Sequence, residues 1–597
     1  MTRVPLRPLA RILSARQKGE NPDQIERENI RLRHEEMRDR ARQRAEGRLV
    51  VLGVFFFCAF TVVGARMGIV AASVPEEPRS SVSTSEITAL RADIVDRNGK
   101  ILATNLQTNS LYAQPQQMVN PVFAAQALAA IFPDMDVDEL TKLFTGKRKF
   151  VWIKKVLSPE QQQMVHDIGE PGLLFGPREM RLYPNGALAA HILGGYGFGR
   201  ESVYAAEVIG MAGVEKEFDD MLRDPALNGK PLELSLDLTI QAAVEEILYG
   251  GMKLLNAKGA TAVLMDVKSG EIISMASLPD FDPNNRPVPL VKGDPTDSPL
   301  FNRAVQGLYE LGSTYKIFTI AQAMNMGMVN ADTMVDADAP MKWGRFTIKE
   351  FRGKNYGPLL SVTDVIAKSS NVGTAKLALR IGADRQKEFL TELGLLEPTQ
   401  VELFEAPYAK PLTPSNWSEI STITVSYGHG ISASPLHLAA AYSTIVNGGT
   451  KVTPTLVKQP YVVPGKRVIS AETSAAARDM LRAVVTRGTA TFGEVPGYSV
   501  AGKTGTADKP RPSGGYYSDK VIATFASAFP AQDPKYVLIV TLDEPVETSG
   551  SEPRRTAGWT AVPVAAEIIR RTAPLLGLRP AAEPSIEPLL VDAVTGD

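Results

Sequence analysis

Between Leu49 and Ala65 the chain reads LVVLGVFFFCAFTVVGA, seventeen residues without a charge. Arg66 and then MGIVAA follow, so the stretch reaches about twenty-four residues where an arginine can snorkel or be covered by a partner. That length matches a bilayer's hydrocarbon core, and a membrane helix over residues 49–72 is the expectation. A cleaved signal peptide would begin at the very N-terminus with a shorter apolar core. A buried helix of a soluble protein is the competing reading. Residues 1–48 hold thirteen Arg/Lys against eight Asp/Glu, a net of +5. The positive-inside rule then leaves this basic tail in the cytoplasm and everything after about residue 72 outside. Its mixed-charge portion ENIRLRHEEMRDRARQRAEGR has no apolar stripe and reads as a solvated helix or a disordered segment attracted to lipid headgroups.

The rest of the chain divides by texture. A Pro/Ser-rich linker covers 73–87, and residues 88–230 mix short strands with helices, as in ADIVDRNGKILATN around an Asn-Gly turn and PVFAAQALAAIF. From 231 to 575 a second pattern begins. LELSLD reads as a strand, LTIQAAVEEILYGGMKLL as an amphipathic helix, and GATAVLMDVKSGEIISMAS as a hairpin. Helices dominate 313–450, including VTDVIAKSSNVGTAKLALRI and SPLHLAAAYSTIV. Strands return with VAGKTGTA, VIATFASAFP and KYVLIVTLD before a last helix at AVPVAAEIIRRT. Strands from both ends around a helical insert predict an α/β fold, a β-sheet sandwiched by helices. Residues 576–597, rich in Pro, Ala and acid, read as a loose tail.

Composition closes several routes. A net charge of −1 carries no nucleic-acid signature. The one cysteine, Cys58, allows no intrachain disulfide. Five histidines (His34, His166, His191, His429, His437) lack metal-ligand spacing and read as ordinary surface or core residues, so neither metal nor cofactor is expected.

Chemistry concentrates in three short segments. In YELGSTYKIF, Ser313 and Lys316 stand at positions i and i+3, which share a helix face. Gly312 allows a tight turn before them, and the start of a helix favours a developing oxyanion. Lysine is a base only when neutral, and lowering its pKa from ~10.4 to ~7 costs on the order of 4–5 kcal/mol. Burial can supply that shift. Alone the pattern is weak, since about two SxxK matches arise by chance in a chain this long. In AKSSNVGTA, Ser369 and Asn371 offer a hydroxyl and an amide that can relay a proton and hold a peptide. In AGKTGTA, Lys503, Thr504 and Thr506 can recognise a carboxylate, and Gly505 admits a close backbone approach.

The order SxxK, SxN, KTG is a known signature of penicilloyl-serine transferases. The resemblance extends over roughly residues 48–575. RADIVDRNGKILATN (91–105), RLYPNGALAAHILGGYG (181–197), GMAGVEKEFD (210–219), NRAVQGLYELGSTYK (302–316), YGHGISASPLHLAAAYSTIVNGG (427–449) and FASAFPAQDPKYVLIVTLDEP (525–545) all resemble segments of class B penicillin-binding proteins, particularly the division-specific FtsI type. Ala92 stands where that family usually has Gly, and Leu311 where it usually has Pro.

This resemblance implies a pedestal domain ahead of a D,D-transpeptidase domain that crosslinks peptidoglycan stem peptides and is acylated by β-lactams. It implies Ser313 as nucleophile and Lys316 as base, with Ser369 and Asn371 assisting protonation and alignment. Lys503, Thr504 and Thr506 would hold the terminal carboxylate, and the backbone N–H groups of Ser313 and Thr506 would form the oxyanion hole. It further implies an inner-membrane location with the catalytic domain periplasmic, and an FtsW-like glycosyltransferase and other divisome membrane proteins as partners. An elongation-specific enzyme, a β-lactamase or carboxypeptidase, and a β-lactam sensor or scaffold without turnover are the competing functions.

Overall fold

The computed structural model describes residues 7–72, 91–201, 206–511 and 514–581. The linker expected over 73–87 and most of the tail expected over 576–597 lie outside them. The chain gathers into two compact units. The first takes residues from 1–79, 111–154 and 161–174, and the second from 80–110, 155–160 and 175–597.

In the first unit a single long helix, Pro22–Ala72, contains the whole apolar stretch. Its described side chains between 52 and 67 are exposed, Phe57 at 73%. Among the described residues no helix is long and apolar enough to cross a membrane. The same unit holds a pair of packed helices, Pro121–Ile131 and Val137–Phe144, capped by Asn120 and Asp136, whose side chains accept from Phe123 N and Glu139 N. The carboxylate of Glu170 accepts from Val119 N and Asn120 N at 2.7 and 2.8 Å.

The second unit opens with a buried charge cluster that ties three family-like segments together. Glu215, fully buried, accepts from Arg91 Nε at 2.8 Å and from Arg181 Nε at 2.7 Å. Arg91 also reaches Asp219 at 2.6 Å, and Arg181 donates to the Ala92 carbonyl at 2.9 Å. Ala92 avoids the left-handed region, so the missing glycine asks nothing unusual of this backbone. The Asn-Gly turn is present. Asp96 Oδ1 accepts from Asn98 N and Lys100 N, and Gly99 takes φ +80°. The strand expected at LELSLD shrinks to Leu232–Glu233, because Leu234 and Ser235 pair instead with Val457 and Leu456.

Beyond it lies the sheet. Helix α1 (Leu238–Leu254) starts where Asp237 accepts from Thr239 N and Ile240 N. Strands β1 (Gly259–Asp266) and β2 (Ile272–Leu278) form the expected hairpin. Helices α2 (Lys316–Asn325), α3 (Val362–Ala367), α4 (Asn371–Ile381) and α5 (Pro435–Val446) lie in the insert. Strands β3 (Ala501–Pro510), β4 (Tyr516–Phe529) and β5 (Tyr536–Asp543) then return, followed by α6 (Ala561–Leu575). The five strands run antiparallel in the order β3-β4-β5-β1-β2, so chain ends meet at the sheet's centre. Nearly every residue of β1, β2 and β5 is buried, which requires helices on both faces. Helices α1 and α6 pack on each other and on the sheet, and the wholly buried α5 packs on β1 and β5.

Candidate active site

Ser313 sits in a one-turn 3-10 segment, Gly312–Tyr315, that runs directly into α2. Gly312 takes φ +56°, closed to most side chains. The turn is held from within and from behind. Thr314 Oγ1 donates to the Leu311 carbonyl at 2.9 Å, and the buried Tyr442 hydroxyl of α5 donates to the Thr314 carbonyl at 2.8 Å. Tyr315, Phe318 and Tyr442 stack edge to face beneath it. On the other side β3 presses against the same turn. A Cβ at Gly505 would lie 2.2 Å from the Leu311 carbonyl oxygen. Gly505 therefore lets the strand meet the nucleophile turn, and its hydrogens face protein.

Lys316 is the first residue of α2 and is completely buried. Its Nζ lies 2.6 Å from the Ser369 carbonyl oxygen, 2.7 Å from Asn371 Oδ1 and 3.1 Å from Ser369 Oγ. Lys503, equally buried, donates to that same Ser369 Oγ at 3.0 Å and to the Thr504 carbonyl at 2.9 Å. Both lysines thus converge on one hydroxyl, and Lys316 is held by Asn371 as well. Among the described residues no hydrogen bond joins Lys316 to the Ser313 hydroxyl, and its amine is taken up by a carbonyl, an amide oxygen and the Ser369 hydroxyl.

Burial drives the Lys316 ammonium down to about 7, against the pull of Glu350. Lys503 is held well below the usual lysine range, first by burial and then by the charge of Lys316. Two ammonium ions sharing one hydroxyl in a dry site repel each other, which disfavours charging both at once.

Two local features aim these groups. Ser369 takes φ +62°, an unusual conformation for a serine, and this breaks the helix expected across 362–381 into α3 and α4. The break turns the Ser369 carbonyl and hydroxyl toward the lysines. Glu350 holds the first turn of α4. Almost fully buried, it accepts from Ser370 Oγ at 2.6 Å, Asn371 N at 2.7 Å and Val372 N at 3.2 Å. A carboxylate at the start of α4 is favoured by the helix dipole, and here it also fixes Asn371. Sequence reading missed Glu350, because nothing in IKEFRG marks it.

Ser313, Ser369, Asn371, Thr504 and Thr506 line one cavity of about 600 Å³, with the two lysines behind its wall. The Thr504 hydroxyl is 2.6 Å from that of Thr489, and Thr506 Oγ1 accepts from Ala557 N at 3.0 Å. Among the described residues β3 pairs only with β4, which leaves its other edge beside the cavity. His191 and His437 are buried and lie far down at about 4 through desolvation, His437 serving as part of the α5 cap. His429, by contrast, lines the cavity.

Comparison with known proteins agrees with this arrangement. The model of the penicillin binding protein transpeptidase domain matches residues 260–570, and that of the penicillin-binding protein dimerisation domain matches 86–225. The probable peptidoglycan D,D-transpeptidase FtsI of Caulobacter vibrioides is 36% identical over 563 residues, 92% of each chain. The peptidoglycan D,D-transpeptidase FtsI of Escherichia coli is 28% identical, covering 79% of this chain and 82% of its own. The crystal structure of penicillin binding protein 3 from Mycobacterium tuberculosis complexed with aztreonam superimposes with a TM-score of 0.62 at 26% identity, over 83% of this chain and 98% of that one. With a buried lysine pair set behind a serine at the edge of such a sheet, and with matches of this extent, the chain belongs to the class B penicillin-binding proteins of the FtsI type.

Proposed function

We propose that Ser313 is the nucleophile of a peptidoglycan D,D-transpeptidase that works through an acyl-serine intermediate. Neutral Lys316 takes the Ser313 proton as Oγ attacks the penultimate D-Ala carbonyl of a stem peptide. The bond to the terminal D-Ala breaks, and that residue leaves as an amine with a proton relayed through Ser369. An amine of a neighbouring stem then attacks the ester, forming the crosslink and releasing Ser313. The donor strand lies along the open edge of β3, its terminal carboxylate on Thr504 and Thr506, and that carboxylate draws Lys503 behind them toward its charged form. The N–H groups of Ser313 and Thr506 take the oxyanion. In support, a Cβ at Gly312 would be 3.4 Å from Thr506 N, so the two backbones already adjoin.

The observation that carries this reading is a completely buried lysine, near neutrality at pH 7, one turn from a cavity-lining serine. Incubation with a labelled penicillin followed by peptide mass spectrometry tests it. A long-lived adduct on Ser313, absent from Ser313→Ala, is expected. Rapid turnover would instead indicate a hydrolase, and no adduct a scaffold.

In this reading the apolar run at 49–72 is the membrane anchor, and the charge asymmetry around it supports a basic tail in the cytoplasm and a catalytic domain in the periplasm. The anchored enzyme serves the division septum beside an FtsW-like polymerase and other divisome membrane proteins. The FtsI relatives support this role over elongation. Filamentous cells on depletion are expected, and round cells would overturn the division assignment.

A further inference from the structure

One wall of the cavity is not needed for acylation. Gly428 packs so tightly under the nucleophile turn that a Cβ there would lie 2.1 Å from the Gly312 carbonyl oxygen. The next residue, His429, lines the same cavity as Ser313. Its ring is stacked on Tyr516, 6.1 Å between centroids at 26°, and lies 5.7 Å from Tyr427. His429 Nδ1 is 3.9 Å from Glu310 Oε2. Both atoms are buried, and neither has a hydrogen-bond partner among the described residues. The other carboxylate oxygen of Glu310 accepts from Gly430 N and from the Tyr516 hydroxyl, each at 3.0 Å. Burial and the neighbouring Glu310 push that phenol up to about 12, so it stays a donor. Asp508 adds a second carboxylate to this wall. Among the described residues the titratable groups against His429 are Glu310 from the nucleophile turn, Tyr427 from its own segment and Tyr516 from β4, while Asp508, Arg352, Lys354, Lys368 and Arg555 line the same cavity.

Acylation asks for a proton to be taken from an alcohol, and Lys316 is placed for that. The second half-reaction asks for something different. Its nucleophile is a primary amine, an ammonium ion at neutral pH, which must lose protons to attack. Resting on the transpeptidase reading above, we propose that His429, oriented by Glu310, is the general base for the acceptor amine. With Nδ1 turned to Glu310, Nε2 is the nitrogen available to the amine. The acceptor ammonium first loses one proton to solvent and enters the cavity as the neutral amine. As the amine nitrogen bonds to the acyl carbon, its surplus proton moves to Nε2. The bond from that carbon to Ser313 Oγ then breaks, and the proton held on Nε2 passes on to Oγ, which leaves His429 and Lys316 both neutral for the next cycle. Until then Glu310 holds the imidazolium, as a carboxylate does behind a catalytic histidine.

The two half-reactions separate the roles. With full-length enzyme in detergent micelles, acylation by labelled penicillin reports the first half-reaction alone. Transfer from an N-acyl-D-alanyl thioester donor to a D-amino acid acceptor reports both. In His429→Asn and His429→Gln, penicillin acylation should stay within about five-fold of wild type, while the ratio of transfer to hydrolysis falls on the order of 10²-fold, the usual contribution of a general base. Imidazole added to His429→Ala should restore part of the transfer, which a packing role would not allow. Transfer that persists in both His429 variants overturns the proposal, as does transfer that falls only in proportion to acylation. A wild-type enzyme that takes no penicillin removes the transpeptidase reading itself, and this role with it.

Discussion

Lys316 is paid for in stability. Its folded pKa of about 7 lies below the unfolded value near 10.4, so the unfolded chain binds more protons across that interval. Stability therefore rises with pH from about 7 to 10, and the penalty, on the order of 5 kcal/mol by the shift, is complete below pH 7. Lys316→Met removes the base and should abolish acylation of Ser313. It also leaves the Ser369 carbonyl and Asn371 Oδ1 without their donor, at every pH alike. The informative quantity is the change with pH. Relative to wild type, the variant's melting temperature should be more favourable at pH 6 than at pH 9.5, and calorimetry at the two values decides. An offset independent of pH would mean that Lys316 carries no depressed pKa. The same residue marks how far sequence reading goes. Spacing and motif order singled out Ser313, Lys316, Ser369, Asn371, Lys503, Thr504, Gly505 and Thr506, and all of them gather at one place. The partners inside that place were not legible. Lys316 turns to Ser369 and Asn371, and the buried carboxylate that fixes them, Glu350, comes from a loop no pattern distinguishes.

At the scale of elements, the site is where strand β3 touches the turn before α2. Gly505 makes that contact possible, with the Leu311 carbonyl where a side chain would stand and the Thr314 methyl at 2.9 Å from the same point. A methyl group there must drive the strand and the turn apart. Gly505→Ala should cost about 1–3 kcal/mol, as overpacking does, and slow penicillin acylation by at least an order of magnitude through misplacement of Ser313 and Thr506. Thermal denaturation together with stopped-flow acylation tests both parts, and a variant that acylates at the wild-type rate would show that the contact does not position the nucleophile. The sequence assigned Gly505 a close approach, with substrate as the partner, and the structure supplies the turn instead. Strands and hairpins were legible because apolar runs bounded by turn residues leave little choice. The interruption at Ser369 was not, because VTDVIAKSSNVGTAKLALRI has helical periodicity throughout. What breaks it is tertiary, namely the pull of two lysines on Ser369 and of Glu350 on the start of α4.

For the molecule as a whole, the Glu215 cluster joins parts of the chain that are far apart in sequence. Arg91, Arg181 and Glu215 each belong to a different family-like segment, and all three are buried. Two guanidinium groups share one carboxylate, while Tyr183 adds its hydroxyl at 3.3 Å. Such a cluster contributes little net stability compared with apolar residues of the same volume, since three charges had to leave water. Removing one member is another matter. Glu215→Ala leaves two buried arginines with only Asp219, backbone carbonyls and Asn105 to meet them, and the expected loss is about 3–5 kcal/mol. Urea denaturation of the full chain followed by tyrosine and tryptophan fluorescence would show it as a transition at lower denaturant. Below that transition penicillin acylation of Ser313 should proceed at the wild-type rate, because no residue of the cluster lines the catalytic cavity. A variant as stable as wild type would mean that the cluster is solvated. One that is stable but slow to acylate would mean that these three segments act on the active site as well as on the fold.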